Sequence, residues 1–172
     1  MLELTTKRLI LRPIQITDAD VLHHAIFDDP EVMRFGDGVQ TKEWVRAWIA
    51  AQVKEYDERG YGTYAILEKN PNSVIGYCGL FHYPDVNGQA EVEIGYRLAR
   101  STWGNGYATE AARAVRDHAL TALGMQRLIA LIDPSNITSI RVAEKIGMRY
   151  EDDVMFEGYS HPDHVYALHR AG

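Results

Sequence analysis

The stretch Arg100-Ser101-Thr102-Trp103-Gly104-Asn105-Gly106-Tyr107-Ala108-Thr109-Glu110 lies between a strand-like run and a helix-like run. Its two glycines, Gly104 and Gly106, allow the backbone to turn tightly and to expose N–H groups. The helix predicted to begin at Tyr107 adds amides without helical partners and the positive end of a dipole. We therefore predict an anion-binding loop suited to a phosphate or pyrophosphate. From spacing alone, a strand-to-helix turn without a ligand is an equal alternative, because short glycine motifs are common.

The segments on either side of this loop predict a mixed α/β fold. Apolar runs bounded by turn residues predict strands at residues 7–13, 61–67, 74–81, 92–98, 127–132, 150–156 and 164–169. Helical spacing predicts helices at residues 17–27, 41–59 and 107–123, and a short fourth helix that follows the cap Asp133-Pro134-Ser135-Asn136 and ends at Gly147. Strands dominate early and alternate with helices late, so we expect a mixed sheet with helices on both faces.

Two local signals set expected element boundaries. Thr17-Asp18-Ala19-Asp20 resembles a capping box one methylene short, which predicts the start of the first helix. The cluster Pro84-Asp85-Val86-Asn87-Gly88 predicts the turn between the third and fourth strands.

The composition of the chain narrows the classes of protein to consider. Its 172 residues, 46% hydrophobic and 24% charged, fit one globular domain that spans residues 1–172. The formal net charge of −6 argues against nucleic acid as a partner. The single cysteine, Cys78, indicates a reducing compartment and a small core residue. Without a leader or a membrane-length apolar run, we expect a cytoplasmic protein with no membrane partner.

The strand that precedes the loop carries candidate catalytic groups. Period-two alternation places Val92, Ile94, Tyr96 and Leu98 on one face of the strand and Glu91, Glu93 and Arg97 on the other. A glycine inside this strand, Gly95, indicates either a β-bulge or a close approach by another backbone or a ligand.

Further motifs make the chain resemble a known family. They are Glu93-Ile94-Gly95-Tyr96, Trp103-Gly104-Asn105-Gly106-Tyr107-Ala108-Thr109-Glu110-Ala111, Asn136-Ile137-Thr138-Ser139, Glu144-Lys145-Ile146-Gly147-Met148 and the opening Leu4-Thr5-Thr6-Lys7-Arg8-Leu9-Ile10-Leu11-Arg12. Together they resemble the GNAT acetyltransferase superfamily over nearly the whole chain, and within it the branch of bacterial ribosomal-protein N-terminal acetyltransferases. Trp103 stands where the superfamily more widely has Gln or Arg, and this branch commonly has tryptophan there.

The resemblance implies a fold and a donor. The fold is a mostly antiparallel mixed sheet in which the fourth and fifth predicted strands, residues 93–98 and 127–132, splay apart into a cofactor cleft. The donor is acetyl-coenzyme A, with its pyrophosphate on the loop amides and its pantetheine arm in the cleft. The implied cofactor-binding residues are Tyr96, Leu98, Trp103, Gly104, Asn105, Gly106, Tyr107, Ala108, Thr109, Asn136 and Ser139. The family also makes a homodimer through the last strands plausible.

Acetyl transfer to an amine needs a base, because an alkyl amine with a pKa of about 8 to 10 is mostly protonated at neutral pH. Glu93 matches the position at which many members of the superfamily carry that base. Glu91 is the local competitor on the same strand face. Both glutamates could instead be solvated strand residues.

The departing thiolate needs a proton donor. Ser139 is the usual candidate in this branch, whereas the superfamily more widely uses a tyrosine from a later segment. Helical spacing presents Asn136 and Ser139 toward the same groove. Asn136 suits both a helix N-cap and a cofactor contact through its amide. Ser139 as an ordinary helix residue is nearly as well supported as Ser139 in the role of acid.

The histidines raise the question of a metal site. His161-Pro162-Asp163-His164 contains a possible ligand pair, but no third ligand is in register, so we predict no metal. Residues 34–39 and 157–164 are expected to form the acceptor entrance, because variable loops select substrates. Their acidic residues Asp37, Glu157 and Asp163 suit a cationic acceptor.

Two functions follow from these observations. The first is an acetyl-coenzyme A dependent N-acetyltransferase that acts on a peptide N-terminus or a small-molecule amine. The second is a non-catalytic module that binds acetyl-coenzyme A as a sensor or interaction partner. Glu93, Asn136 and Ser139 favour the enzyme.

Overall fold

An eight-stranded sheet organises the computed structural model, which describes residues 2–170. The strands are β1 (Leu4–Thr5), β2 (Leu9–Pro13), β3 (Thr63–Glu68), β4 (Ser73–Val86), β5 (Gln89–Leu98), β6 (Arg127–Ile132), β7 (Arg149–Val154) and β8 (Asp163–His169). Their order across the sheet is β1-β2-β3-β4-β5-β6-β8-β7. Neighbours are antiparallel except for β5 and β6, which are parallel. The predicted mixed, mostly antiparallel sheet is confirmed.

Four α-helices pack on this sheet: α1 (Ala19–Leu22), α2 (Lys42–Arg59), α3 (Tyr107–Thr121) and α4 (Ile137–Lys145). Thr41 caps α2, since its hydroxyl accepts the Trp44 amide at 3.1 Å, and Gly60 ends that helix at a φ of 77°. Across residues 2–170, every helix is too short or too polar to cross a membrane.

The helices cover both faces of the sheet, as predicted. Helices α3 and α4 pack on one face, where Ala111, Ala112 and Ala119 of α3 are completely buried against the strands. Their small side chains let the helix backbone approach the sheet closely. The other face carries α1 and α2, with Leu22, Val45 and Ile49 in its core.

The first helical segment differs from the prediction. It is a 3-10 turn (Ile16–Asp18), the short α1 and a π-helical turn (His23–Phe27). The box predicted at Thr17 is wrong, because Asp18 instead accepts the Gln15 amide at 2.8 Å. Arg12 holds the same carboxylate through two hydrogen bonds of 2.8 and 2.6 Å, and Asp18 is only 3% exposed. The N-cap is therefore Gln15, two residues before the predicted Thr17, and the segment begins at Ile16.

The β4–β5 hairpin is longer than predicted. Its turn is reduced to Asn87 and Gly88, with φ angles of 52° and 89°, which suit a tight hairpin turn. Strand β4 runs on through Pro84 because the register shifts between Tyr83 and Val86. Such an irregularity tolerates a residue that has no N–H to donate.

The cleft expected between the fourth and fifth predicted strands lies between β5 and β6. These two parallel strands meet at one residue pair, Glu93 with Ile129. Earlier along both strands, Arg127 of β6 donates a hydrogen bond of 2.9 Å to the Glu91 carboxylate of β5. Arg127 also forms an ion pair with Glu151 of β7. The ion pairs lie at the closed end of the cleft, which opens toward the carboxyl ends of both strands.

Candidate functional site

The anion loop, residues 103–109, follows β5 through a short 3-10 turn (Arg100–Thr102). Trp103 closes the end of the strand, because its indole Nε1–H donates to the Leu98 carbonyl at 2.9 Å. The rest of the Trp103 ring stays open, with 47% of the residue exposed. The Asn105 amide donates to the Thr102 carbonyl at 3.0 Å. These bonds fix the loop at the carboxyl end of β5, beside the open end of the cleft.

The backbone of the anion loop leaves three amides unpaired at the start of α3. Gly104 and Gly106 adopt left-handed φ angles of 79° and 78°, which favour glycine. The first hydrogen bond of α3 runs from the Glu110 amide to the Gly106 carbonyl at 3.1 Å. The amides of Tyr107, Ala108 and Thr109 therefore have no acceptor within the helix and are free to bind an anion. This geometry fits a pyrophosphate without requiring a lysine.

Arg8, directly before β2, contacts this loop through its side chain. Its guanidinium donates to the Asn105 carbonyl at 2.8 Å and to the Glu110 carboxylate at 2.7 Å. It also lies 4.5 Å from the centre of the Tyr107 ring. No pattern in the sequence connects Arg8 to the loop, because the two are about a hundred residues apart in the chain. The contact joins the amino-terminal strand to the first turn of α3.

Glu93 lies where β5 and β6 separate. Its carboxylate accepts the Leu131 amide at 3.2 Å, and the Tyr83 hydroxyl lies nearby. Burial raises the pKa of this carboxyl to about 7, although the Leu131 amide and the Tyr83 hydroxyl both favour the ionised form. The charge of Asp163 raises the pKa further, and that of Arg97 lowers it. A carboxyl with this pKa is divided between its acid and base forms at neutral pH.

Glu91 has different surroundings. Its carboxylate is 5% exposed, accepts Arg127 at 2.9 Å and accepts the Gln89 side-chain amide at 2.6 Å. An ion pair inside the closed end of the cleft occupies the oxygens that a base would need. Of the two candidates, Glu93 alone lies at the opening.

Gly95 has a regular register and a close side-chain neighbour. The β4–β5 register shows no bulge at this residue. The neighbour is not another backbone, because a Cβ at Gly95 would lie 3.1 Å from the Phe81 ring, and the approach of a ligand stays a prediction. That Cβ would also lie 3.6 Å from the Glu93 carboxylate, so glycine leaves room beside the candidate base.

Ser139 lies in the first turn of α4, on the other side of the cleft. The Asn136 side chain accepts the Ser139 amide at 3.2 Å, which confirms the predicted N-cap. The Ser139 hydroxyl is within hydrogen-bonding reach of the Tyr96 hydroxyl. Burial raises the pKa of Tyr96 well above its usual range, so this phenol keeps its proton at neutral pH. The structure thus brings two hydroxyls together at the cleft, one of them from β5 rather than from a later segment.

The two loops predicted to form the acceptor entrance, residues 34–39 and 157–164, are close enough for the charge of one to act on the other. Tyr159 of the second loop has its pKa raised by burial and then by the charge of Asp37 in the first. The charges of Asp163, Glu93 and Arg97 also act on Tyr159. Tyr159 and Tyr83 could not be found from the sequence, because no local pattern distinguishes these tyrosines from core residues.

A third potential metal ligand joins the pair found in the sequence. Asp133, His161 and Asp163 place ligand atoms within 4.8 Å of one another. Asp133 is 28 residues from His161, so spacing in the sequence could not reveal it. One Asp133 oxygen lies 3.3 Å from the His161 ring, and the other accepts the Ser135 amide and hydroxyl at 2.8 and 2.6 Å. These contacts account for the Asp133 carboxylate within the chain itself, and the absence of a metal stays a prediction.

Comparisons with known proteins agree with this arrangement. Residues 8–149 match the family described as the acetyltransferase (GNAT) domain. The uncharacterized protein YkkB of Bacillus subtilis (strain 168) is 39% identical over 154 residues, which cover 88% of each chain. The uncharacterized N-acetyltransferase p20 of Bacillus licheniformis is 33% identical over 154 residues, which cover 86% of this chain and 83% of that protein. The crystal structure of a GNAT-family acetyltransferase from Bacillus anthracis superposes with a TM-score of 0.82 at 26% identity, over 98% of both chains.

Proposed function

Because this chain belongs to the GNAT acetyltransferase family, we propose that it transfers an acetyl group from acetyl-coenzyme A to a primary amine, with Glu93 as the base. The acceptor is a protein or peptide N-terminus or a small-molecule amine. One observation carries the proposal: a carboxyl with a pKa of about 7 lies where β5 and β6 separate, on the strand that leads into the anion loop.

The residues present fit the donor. The free amides at the start of α3 suit its pyrophosphate, and the widening cleft offers unpaired strand backbone to the pantetheine amides. When bound, acetyl-coenzyme A supplies an activated acetyl thioester. Tyr96, Leu98, Asn136 and Ser139 line the implied path between the loop and Glu93.

The residues of the chain handle two protons. Glu93 takes one from the amine nitrogen as that nitrogen forms its bond to the acetyl carbon. The Leu131 amide and the Tyr83 hydroxyl favour the ionised carboxylate and orient it for this step. When the carbon–sulfur bond breaks, a hydroxyl from Ser139 or Tyr96 gives a proton to the thiolate and takes one back from solvent, to which Glu93 releases the proton that it took. The acceptor then carries one added acetyl group, and free coenzyme A remains.

Two measurements test the proposal. Isothermal titration with acetyl-coenzyme A is expected to show binding at micromolar to millimolar concentration, and absence of heat at millimolar ligand would refute it. Release of free thiol is then followed over a panel of small amines and N-terminal peptides, with product mass as the readout for one added acetyl group. Binding without release for any acceptor would leave a non-catalytic acetyl-coenzyme A sensor.

The proton donor is tested by paired substitutions. Ser139→Ala is expected to lower kcat by about tenfold while the Kd for acetyl-coenzyme A changes by less than about threefold, because one hydroxyl is removed and the Asn136 cap stays. Tyr96→Phe removes the neighbouring hydroxyl and serves as the matched variant. The larger loss of kcat identifies the group nearer to sulfur. Equal retention of kcat in both variants would contradict a role for either hydroxyl.

A further inference from the structure

Arg97 lies on β5 four residues after Glu93, and alternation along the strand puts both side chains on the same face of the sheet. Within residues 2–170, its guanidinium contacts uncharged acceptors rather than a carboxylate. One nitrogen donates to the Phe35 carbonyl at 2.7 Å. The other lies 2.9 Å from the Met33 sulfur and 3.5 Å from the Val32 carbonyl. A strand arginine thus binds the backbone of the segment that leads into the first entrance loop.

The segment is shaped around this guanidinium. Gly36 has a φ of 133°, and a Cβ there would lie 2.8 Å from an Arg97 nitrogen. Val32 and Met33 are buried in the core with α1 and α2, so the segment is fixed on one side by apolar packing. On the side that faces β5, the two terminal nitrogens of the Arg97 guanidinium hold the segment through polar contacts.

The charge of the same guanidinium also acts on the second entrance loop. The pKa of Tyr159 is raised by burial and then by the charge of Asp37, and it is lowered by the charge of Arg97. Tyr77 lies directly opposite Arg97 on β4. The backbone that Arg97 holds therefore lies on the face of the sheet that carries Glu93.

We propose that Arg97 is a positioning residue that fixes residues 32–36 against β5 and thereby shapes the acceptor side of the site. The proposal rests on the proposed function for its link to the acceptor. The anchoring itself rests only on the contacts of the guanidinium with Val32, Met33 and Phe35. Lysine cannot reproduce those contacts, because a single ammonium lacks the planar fork that reaches several acceptors at once.

The test compares Arg97→Lys with Arg97→Gln. Both are expected to raise the acceptor KM by at least about fivefold, with the Kd for acetyl-coenzyme A unchanged, because the guanidinium binds Val32, Met33 and Phe35 rather than the anion loop. Only Arg97→Gln removes the positive charge that lowers the pKa of Glu93. The pH at which kcat/KM rises is therefore expected to be higher in Arg97→Gln and unchanged in Arg97→Lys. A residue that served only for stability would not separate the two variants in this way.

Hydrogen exchange supplies a readout that does not depend on activity. Amides of residues 31–38 are expected to exchange faster in Arg97→Lys than in the parent. The matched control is Arg46→Lys on α2, an exposed arginine paired with Asp20 at 3.3 Å, which should leave exchange and KM unchanged. Unchanged exchange of residues 31–38 in Arg97→Lys would overturn the anchoring, and an unchanged acceptor KM in an active protein would overturn its role at the site. If the parent transfers no acetyl group, the proposed function fails and exchange alone decides the anchoring.

Discussion

Glu93→Gln is expected to lower kcat/KM for the amine at pH 7 by roughly 10²- to 10⁴-fold, the range that a positioned general base contributes. In the parent, activity should rise with pH through about 7, because the Glu93 carboxyl acts as a base only after it has lost its proton. The variant should lose this limb, and its deficit should shrink at high pH, where the amine deprotonates without help. Initial rates from pH 5.5 to 9.5 with saturating donor provide the measurement.

Glu91→Gln is the matched control for this experiment. It alters a carboxylate of the same strand that is already bonded to Arg127 and Gln89, so its pH limb should stay near 7 while its stability falls. Loss of the limb in Glu91→Gln rather than in Glu93→Gln would assign the base to Glu91. An equal deficit of Glu93→Gln at all pH values would remove the role of base from Glu93.

Glu93→Gln should also change the free energy of unfolding, and the size of this change depends on pH. The pKa of Glu93 is raised from 4.5 to about 7 in the folded chain, so ionisation costs stability as the pH rises through that window. Above pH 7, Glu93→Gln should therefore raise the free energy of unfolding relative to the parent, by up to about 3 kcal/mol. Below pH 4.5 the difference should vanish. Urea unfolding at pH 4 and pH 8 measures both values.

Gly106→Val is expected to weaken acetyl-coenzyme A binding by at least about tenfold. Gly106 precedes α3 with a φ of 78°, and a side chain costs roughly 1–2 kcal/mol in this conformation, more when it is β-branched. The chain relieves that strain by changing φ, which redirects the amides of Tyr107 and Ala108 away from a bound anion. Isothermal titration with acetyl-coenzyme A measures the change in Kd.

Gly124→Val is the control for this variant. Gly124 follows the other end of α3 with a φ of 68°, and open space surrounds its Cβ position, as at Gly104 in the anion loop. Thermal unfolding should show similar losses of stability in both variants, whereas only Gly106→Val should lose affinity. If both variants bind acetyl-coenzyme A as the parent does, the anion loop does not hold the pyrophosphate.

Local patterns predicted most of the fold because each depends on a short segment. Alternation located β5, the cap at Asn136 located α4, and the glycines of residues 103–109 located the start of α3. The boundaries that were wrong depend on distant partners. The ion pair with Arg12 fixes the position of Asp18, and the β4–β5 turn is short because the register shifts near Pro84.

The candidate site divides in the same way. Glu93, Ser139 and the anion loop are found from motifs that lie within single elements. Tyr83, Arg8 and Arg97 act through partners on other elements, and neither spacing nor composition indicates those pairings. The pKa of Glu93 also depends on burial between β5 and β6, a property that only the assembled sheet defines.

The single pair between β5 and β6 also bears on how the chain folds. Strands β1 to β5 lie within residues 4–98, and β6 to β8 lie within residues 127–169, so each group of strands is continuous in sequence. Within each group, neighbouring strands pair over several residues, whereas the two groups share one residue pair. The two groups join at Glu93 and Ile129, aided by the ion pair of Glu91 with Arg127. The folding step that docks these two groups would therefore be the same step that creates the environment of the Glu93 carboxyl.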